Sequence, residues 1–266
     1  MNQTERRKFL IQELLKEQDG YRHLEVPKQE EEQKQLLRGL MNIRPACRIS
    51  KEVLQIQDAY LTEETVRKGI THSGELDPIQ PGIYLWKGDI TTLACDAIVN
   101  AANSGMTGCY VPNHRCIDNC IHTFAGMELR LECDRIMREQ GYEEPTGQAK
   151  LTQAYNLPCR YILHTVGPIV TGKLTKTDYA LLASCYRSCL ELAAENGLES
   201  VAFCCVSTGE FGFPKEEAAQ IAVQSVQEFM KGVTSVKKVI FNVFQEEDQA
   251  IYNRILRAGR TDEPSA

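Results

Sequence analysis

Thiol and imidazole groups are concentrated in the stretch 108-GCYVPNHRCIDNCIHTFAG-126. Cys109, His114 and Cys116 carry side chains that are natural ligands of a borderline-soft metal ion, and a loop that contains Pro112 can wrap around one. Three protein ligands leave a fourth position for a substrate or a water molecule, which is typical of a catalytic metal site. The alternative is that the two cysteines are ordinary small apolar residues.

The other cysteines are interpreted from their surroundings in the sequence. Cys120 lies one helical turn after Cys116 and is the substitute metal ligand, although it falls on the buried face of a predicted helix. Four cysteines within helix or strand patterns are predicted to be core thiols: Cys185, Cys189, Cys204 and Cys205. The total of 11 cysteines is odd and is a poor basis for a disulfide framework, so we expect the chain in a reducing cytoplasm.

A second loop suited to a ligand is 207-STGEFGFPKEE-217, which follows the apolar run VAFCCV and precedes a helical pattern. Gly209 and Gly212 allow backbone conformations in which consecutive N–H groups point at one phosphate. Phe211 and Phe213 are unfavourable in an exposed loop unless they cover a ligand or a neighbouring wall of the protein. A flexible strand-to-helix turn is the alternative. The loop matches neither GxGxxG nor GxxxxGK[ST], so neither a dinucleotide-binding fold nor a P-loop kinase is indicated.

Regular strands and helices must position these two loops, and the sequence from Ile83 onward predicts such elements. Short apolar runs alternate with helical patterns, which is typical of an α/β/α sandwich with a mixed, largely parallel sheet. The predicted strands are 83–88, 97–102, 149–155, 161–167, 201–207 and 237–244, and the predicted helices are 118–139, 178–196, 215–231 and 246–258. Ligands bind at the carboxyl ends of the strands in such sheets, where both unusual loops are expected.

Residues 1–80 are predicted to form a small helical extension, and residues 81–266 the main domain. Apolar residues recur at helical spacing in three stretches of the extension, which Pro27 and Pro45 separate. Residues 72–82 are interpreted as a linker. We expect the apolar stripes to form a core or an interface, because a helix needs such a face to dock.

The charge of the chain limits its partners. The formal net charge of −6, from 30 basic and 36 acidic residues, argues against a surface that binds nucleic acid. The N-terminal stretch MNQTERRKFLIQELLKEQ mixes charged and apolar residues at helical spacing, unlike a signal peptide. No apolar run approaches the roughly 20 residues that span a bilayer. We therefore expect a cytoplasmic protein with no membrane or nucleic-acid partner.

Six short motifs, taken in order along the chain, carry a family resemblance. They are 88-GDIT-91, 99-VNAAN-103, 116-CIDNCIHTFAG-126, 146-TGQAKLTQAYNLP-158, 164-HTVGP-168 and 207-STGEFGFP-214. Together they resemble the macrodomain family, which binds ADP-ribose, over residues 83 to about 258. The resemblance implies the α/β/α sandwich that the periodicity also predicts.

The resemblance also implies roles for single residues. Asp89 matches the aspartate that holds the adenine amino group, with Ile90 beside it, and a carboxylate is a good acceptor for an exocyclic N–H. Asn103 matches the asparagine that hydrogen-bonds the distal ribose. Asp118 matches an aspartate near that ribose, although capping of a helix would also explain it. Phe244 either stacks on adenine or belongs to the core.

The remaining ADP-ribose-binding residues follow from the same comparison. Cys116 and Ile117, beside Asp118, complete the predicted ribose end. The predicted diphosphate loop acts through its backbone N–H groups and comprises Ser207, Thr208, Gly209, Glu210 and Phe211.

The stretch before Ile117 departs from the common family pattern. Many hydrolytic macrodomains have a run of glycines where this chain has GCYVPNHRCIDNCIH, which resembles a zinc-containing microbial subgroup. That resemblance implies one Zn²⁺ per chain, held by Cys109, His114 and Cys116 in the spacing Cys-x4-His-x-Cys. It further implies a hydrolase that removes mono-ADP-ribose from modified protein side chains by cleaving the glycosidic bond at the distal ribose.

In this hypothesis Asp118 orients or deprotonates the attacking group and Asn103 fixes the ribose. The subgroup is associated with a lipoyl-carrier protein related to the glycine-cleavage H protein and with a sirtuin-type ADP-ribosyltransferase. The alternatives are a non-catalytic ADP-ribose reader, and an O-acetyl-ADP-ribose esterase or ADP-ribose phosphatase that uses the same pocket. His122 and His164 are interpreted as packed, structural histidines, with His122 also hydrogen-bonded.

Overall fold

The computed structural model describes residues 1–17, 19–21 and 23–258. Its first part consists mainly of three helices, α1 (Gln3–Glu17), α2 (Glu30–Ile43) and α3 (Lys51–Lys68). Ser50 caps α3, because its hydroxyl accepts a hydrogen bond from the N–H of Val53 at 3.2 Å. The end of the predicted main domain, residues 259–266, lies outside the described residues.

The three helices of the extension have a hydrophobic core of their own. Apolar side chains from α1, α2 and α3 pack into it, as the stripes in the sequence predict. Met127 of the main domain is part of the same buried cluster. The extension therefore docks on the main domain through its core, and this contact fixes α2 beside the loops described below.

Seven strands form the main sheet. They are β2 (Pro78–Gln80), β3 (Ile83–Lys87), β5 (Ala97–Ala102), β6 (Ala149–Gln153), β7 (Tyr161–Val166), β8 (Ser200–Phe203) and β9 (Lys238–Val243). Their order in the sheet is β2-β3-β9-β8-β5-β7-β6. The five central strands are parallel, and the two edge strands are antiparallel to their neighbours. The predicted mixed, largely parallel sheet is confirmed.

The linker prediction for residues 72–82 is wrong in part. The strand β1 (Thr71–His72) pairs in parallel with β4 (Leu93–Ala94) in a small second sheet, and β2 (Pro78–Gln80) forms one edge of the main sheet. These strands are too short to give a periodic signal. Pro78 is compatible with β2 because an edge strand can leave one side of its backbone unpaired.

Helices cover both faces of the sheet. They are α4 (Ile117–Ala125), α5 (Met127–Gln140), α6 (Lys176–Glu195), α7 (Lys215–Phe229) and α8 (Glu246–Ala258). Helix α6 packs on β6, β7 and α7, and α8 packs on α7, β3 and β9, whereas α4 contacts β5, α5 and the extension. The α/β/α sandwich is therefore confirmed. No helix in the described part of the chain is long and apolar enough to cross a membrane.

The single helix predicted over 118–139 is two helices, separated at Gly126. The backbone of Gly126 has φ +105° and ψ 175°, a conformation that residues with a Cβ rarely adopt. A Cβ at this position would also lie 2.7 Å from Nε2 of Gln57 in the extension. The sequence pattern missed this break because the apolar spacing continues across it.

We expect Gly126→Ala to lower the free energy of unfolding by about 3 kcal/mol or more, because it combines backbone strain with crowding. Gly141→Ala is the matched control, since Gly141 also has a positive φ of 79° but has no atom within 4 Å of an added Cβ. That control should cost only the conformational strain, about 1–2 kcal/mol. Urea denaturation measures both, and equal losses would contradict the crowding at Gly126.

Candidate functional site

The candidate site lies where the parallel strands end. Asp89 follows β3 and Phe244 follows β9, while Asn103 follows β5 and the loop 207–213 follows β8. Because these strands are adjacent and parallel, their carboxyl ends share one edge of the sheet. The structure places the glycine-rich loop, Asp89, Asn103 and Phe244 at this edge, as expected.

Asp89 is held in place before any ligand arrives. Its Oδ1 accepts hydrogen bonds from the backbone N–H and the hydroxyl of Thr91, and its Oδ2 lies 3.1 Å from Nζ of Lys68. Burial raises the pKa of Asp89, but the hydrogen bonds from Thr91 and the charge of Lys68 outweigh burial and hold the pKa below its ordinary value. The ionised carboxylate is an acceptor, as the predicted adenine contact requires, and the neighbouring Ile90 is buried.

Phe244 is exposed over 77% of its surface. The alternative that it belongs to the core is therefore wrong. It follows β9 directly beside Gly88, whose N–H donates to the carbonyl of Val243 at 3.0 Å. Phe244 and Asp89 consequently leave neighbouring strands at the same edge, and a ring in this position is available for stacking.

The loop 207–213 has two backbone positions in the left-handed region, Ser207 with φ 65° and Gly212 with φ 66°. Gly212 thus has a conformation that glycine adopts readily, whereas Gly209 does not lie in the left-handed region. No atom lies within 4 Å of a Cβ built on Gly209, so the glycine leaves open space there. Thr208 folds back onto the chain, with its hydroxyl donating to the carbonyl of Cys205 at 3.0 Å.

The two phenylalanines of this loop have different surroundings. Phe213 is buried in the main core, against the edge of the Tyr179 ring, so it anchors the loop to the protein. Phe211 is half-buried, and its carbonyl accepts a hydrogen bond from Val170 at 2.8 Å. Glu210 points its carboxylate toward the other unusual loop, with Oε1 3.5 Å from Nε2 of His114. The two loops therefore meet across the site.

Asp118 lies at the centre of a buried polar cluster. Its side chain is at the first turn of α4, and its two oxygens accept hydrogen bonds from Nδ2 of Asn100 at 2.8 Å and Nδ2 of Asn103 at 3.2 Å. Burial raises the pKa of Asp118 to about 6, although these hydrogen bonds and the charge of Arg130 act against it. The helix itself is capped by Cys116, so capping does not explain Asp118.

Cys109, His114 and Cys116 come together as the sequence predicts. Their ligand atoms all lie within 4.8 Å of one another, and Sγ of Cys109 is 3.6 Å from Nδ1 of His114. A tetrahedral zinc ion places sulfur and nitrogen ligands about 3.6 Å apart, given Zn–S and Zn–N bonds of about 2.3 and 2.1 Å. All three side chains are half-buried, so they remain accessible to a metal ion and a substrate. The donor set fits zinc.

Without a neighbouring cation, the thiol of Cys116 is held in its protonated form. Burial raises its pKa to about 12, and the neighbouring Cys109 and Asp118 contribute to this despite a hydrogen bond from the N–H of Asn119. A bound metal ion supplies the positive charge that a thiolate needs in such a position. Cys120 is not part of the cluster and has its Sγ 3.4 Å from Nη2 of Arg38. The geometry thus favours Cys116 over Cys120.

The histidines behind the site are packed in the core. His164 is hydrogen-bonded by Asn100 and Thr152, and burial lowers its pKa to about 3. His122 is buried as predicted, but in the described part of the chain neither ring nitrogen has a hydrogen-bond partner, so that part of the prediction is wrong. Its Nε2 lies 3.6 Å from Oδ1 of Asp118. Burial also lowers the pKa of His122, so both rings are neutral.

Cys185, Cys189 and Cys204 are buried in the core, as predicted, and Cys205 is half-buried against it.

Several residues of the site were missed from the sequence. Lys68, Arg38 and Asn42 belong to the helical extension and contact site residues more than twenty positions away. Charged and amide side chains on a helix give no signal of such partners. Asn100 lies within the VNAAN motif, but a buried strand position does not reveal that it holds Asp118.

The chain is similar to several known proteins. The model of the family described as Macro domain matches residues 99–222. A protein from Treponema medium named protein-ADP-ribose hydrolase is 57% identical over 260 residues, which are 96% of this chain and 100% of that protein. A protein of the same name from Staphylococcus aureus strain MSSA476 is 48% identical over 93% of each chain. A solved Oceanobacillus iheyensis macrodomain variant with ADPR is 36% identical, has a TM-score of 0.64, and covers 70% of this chain and 98% of its own.

Lys68→Met should raise the pKa of Asp89, because it removes the cation that stabilises the carboxylate. The folded-state pKa of Asp89 is depressed, so the ion pair stabilises the fold above the unfolded-state pKa of about 3.9 and loses its effect as the pH falls through the folded-state value. The stability difference between the wild type and Lys68→Met should therefore shrink below about pH 4.

Carbon-13 NMR titration of the Asp89 carboxyl and urea denaturation across pH test this expectation. Arg67→Met is the control, because Arg67 pairs with Glu63 on its own helix. An unchanged Asp89 pKa in Lys68→Met would show that the ion pair does not form in solution.

Proposed function

Since the chain belongs to the macrodomain family, we propose that it is a zinc-dependent hydrolase that removes mono-ADP-ribose from modified protein side chains. The names of the close relatives from Treponema medium and Staphylococcus aureus support ADP-ribose hydrolysis. The observation that carries the zinc-dependent reaction is the cluster of Cys109, His114 and Cys116, which directly precedes Asp118 at the start of α4.

The substrate would lie along the carboxyl edge of the sheet. Asp89 accepts the adenine amino group and Phe244 stacks on the ring, since both leave neighbouring strands at one end of this edge. The backbone of the loop 207–211 surrounds the diphosphate. Asn103 and Asp118 then face the distal ribose, because they lie at the central strand β5 and the start of α4. Binding at the adenine and diphosphate orients the reacting carbon.

Zinc held by Cys109, His114 and Cys116 would supply a Lewis acid toward an oxygen atom at the distal ribose. The protein contributes the surroundings of that centre. Oε1 of Glu210 lies 3.5 Å from Nε2 of His114, the ring nitrogen that does not face Cys109, and its negative charge would favour an N–H at that nitrogen. Cys116 is held at the start of α4, because the backbone N–H of Asn119 in that helix donates to Sγ of Cys116 at 3.4 Å.

The chemical step is hydrolysis at the first carbon of the distal ribose. The bond from this carbon to the modified side chain breaks, a new bond to the oxygen of water forms, and the leaving side chain takes up a proton. Asp118 orients this water and accepts its proton, and Asn103 holds both the ribose and Asp118. Asn100 keeps Asp118 aimed at the site from behind.

The finer assignments rest on resemblance. We include in the proposal a cytoplasmic location, a lipoyl-carrier protein related to the glycine-cleavage H protein as substrate, and a sirtuin-type ADP-ribosyltransferase as the enzyme that modifies it. The negative net charge of −6 supports a protein substrate rather than nucleic acid. We also propose that the chain divides into an extension at 1–80 and a catalytic domain from residue 81.

The function is tested by hydrolysis of a mono-ADP-ribosylated protein, with zinc content measured on the same sample. Wild-type protein should contain about one zinc per chain and release ADP-ribose. Cys116→Ala should lose both zinc and activity, since a ligand is missing, while its far-UV circular dichroism stays nearly native because the domain has a large core of its own.

Cys120→Ala is the matched control, because Cys120 lies one turn away and outside the ligand cluster. It should keep both zinc and activity. If the triple variant at Cys109, His114 and Cys116 hydrolyses the substrate at the wild-type rate, zinc has no part in the reaction. A wild-type protein that binds ADP-ribose without hydrolysis would instead be a reader.

Asp118→Asn should lower kcat by about 10²–10⁴-fold, the usual contribution of a general base. ADP-ribose affinity should change far less, because adenine and diphosphate contacts are distant from the substitution. Isothermal titration and single-turnover kinetics separate the two quantities, and thermal unfolding checks that the buried amide is tolerated. A parallel loss of affinity and rate would identify Asp118 as a binding residue only.

A further inference from the structure

The loop that carries the cluster has few hydrogen bonds of its own. One backbone bond, from His114 N–H to the carbonyl of Val111 at 3.2 Å, closes a turn within it. Asn113 adopts a left-handed φ of 58° in this turn. Such a loop keeps one shape only when neighbouring elements satisfy its backbone groups. Its partners therefore decide how well Cys109 and His114 are placed.

Helix α2 of the extension supplies two of these partners. Oδ1 of Asn42 accepts a hydrogen bond from the backbone N–H of Asn113 at 2.9 Å. Nη2 of Arg38 donates to the carbonyl of His114 at 2.8 Å. The two side chains are four residues apart, so they lie on one face of the helix. They bind consecutive residues of the loop, and one of these is a metal ligand.

The same two side chains also join the loop to α4. Nδ2 of Asn42 donates to the hydroxyl of Thr123 at 2.9 Å, and Arg38 donates to Oδ1 of Asn119 at 3.0 Å. Asn42 is only 1% exposed, so its hydrogen bonds are shielded from water. The helix, the loop and α4 are thereby connected by four hydrogen bonds, of which that between Asn42 and Thr123 is buried and the others are part-buried.

Gly39 allows this close approach. A Cβ on Gly39 would lie 3.2 Å from Nδ2 of Asn113 and 3.8 Å from Cβ of Pro112. Glycine inside a helix is less stable than alanine. Its presence between Arg38 and Asn42 is explained by the loop that packs against the helix at this position.

Arg130 of α5 fixes the end of α2 to the segment that precedes Cys109. Its guanidinium donates to the carbonyls of Asn42 and Thr107, both at 2.7 Å. Carbonyls at the end of a helix lack partners within the helix and accept well from a cation. Helix α2 is therefore anchored to the main domain on both sides of the loop.

We propose that α2 is a brace for the metal-binding loop, and that Arg38 and Asn42 are positioning residues for Cys109, His114 and Cys116. The nature of the metal ion rests on the proposed function, whereas the hold on the loop does not. By fixing the backbone at residues 113 and 114, the brace lowers the entropy that the loop loses when it binds an ion. The extension would thus be a working part of the site.

Two measurements on the full chain test the brace. Hydrogen exchange of the peptide 108–116, followed by mass spectrometry in metal-free protein, should become about tenfold faster at Asn113 in Asn42→Ala, which removes its acceptor. The dissociation constant for zinc, from competition with a chromogenic chelator, should rise by about 10–100-fold in Asn42→Ala and in Arg38→Met.

Gln33→Ala is the matched control. Gln33 is also buried on α2, but its hydrogen bonds go to Arg7 and Pro27 within the extension. It should lower the melting temperature and leave both the exchange of 108–116 and the zinc affinity unchanged. If Gln33→Ala changes the exchange and the zinc affinity as much as Asn42→Ala does, the effect of Asn42→Ala reflects only a loss of overall stability, and the proposal is overturned.

Unchanged exchange of 108–116 in both Asn42→Ala and Arg38→Met would equally overturn it. If Asn42→Ala does not fold, Arg38→Met decides the question, because its stem still packs while the donor is lost. A wild-type protein that binds no zinc would defeat the metal assignment in the proposed function. The exchange measurement would still support or overturn the brace in that case.

Discussion

Five parallel strands end at the same edge of the sheet, and every functional feature of the main domain depends on that constraint. Neighbouring parallel strands have their carboxyl ends side by side, so residues far apart in sequence leave the sheet together. Asp89 and Phe244 are more than 150 positions apart, yet they follow the adjacent strands β3 and β9. The order of strands in the sheet therefore sets the order in which these residues lie along its edge.

Burial of charge is the second determinant of the site. Asp118 is only 5% exposed, and two amides share the task of stabilising its carboxylate. Two buried, neutral histidines lie behind it, so no imidazolium competes for it. Nδ2 of Asn103 also donates to the carbonyl of Gly108, directly before Cys109, at 3.2 Å, which joins this polar cluster to the Cys/His loop. A cation bound in that loop would stabilise the ionised carboxylate and the thiolates together.

The sequence predicted those parts of the structure that local patterns encode. The apolar runs identified β3, β5, β6, β7, β8 and β9, and the Cys-x4-His-x-Cys spacing identified a cluster that the structure brings within 4.8 Å. Short strands such as β1 and β2 were missed because two or three residues carry no period. Gly126 was missed because a break between two helices with continuous apolar spacing depends on the backbone and not on the side chains.

The sequence did not reveal which residues, far apart along the chain, contact one another in the folded protein. Lys68 resembles any charged residue at the end of a helix, although it pairs with Asp89. The sequence also did not reveal that Ser207, as well as Gly212, has a left-handed backbone in the loop 207–213. Serine can adopt this conformation when its surroundings impose it, and here the carbonyl of Ser207 accepts a hydrogen bond from Phe213 at 2.9 Å.

The extension is better understood as a wall of the site than as an appendage. Its core includes Met127 from α5, and Arg130 of the same helix binds carbonyls of α2. The C-terminal end of α3 brings Lys68 to Asp89, and α2 brings Arg38 and Asn42 to the loop that carries Cys109 and His114. A helical bundle that contacts both regions couples its own folding to the shape of the candidate site. Loss of the extension would remove the carbonyl partners of Arg130 at Met41, Asn42 and Arg44 and would expose Met127, which packs in the core of the extension. Exposure of apolar surface is unfavourable, so the two parts are expected to fold as a unit.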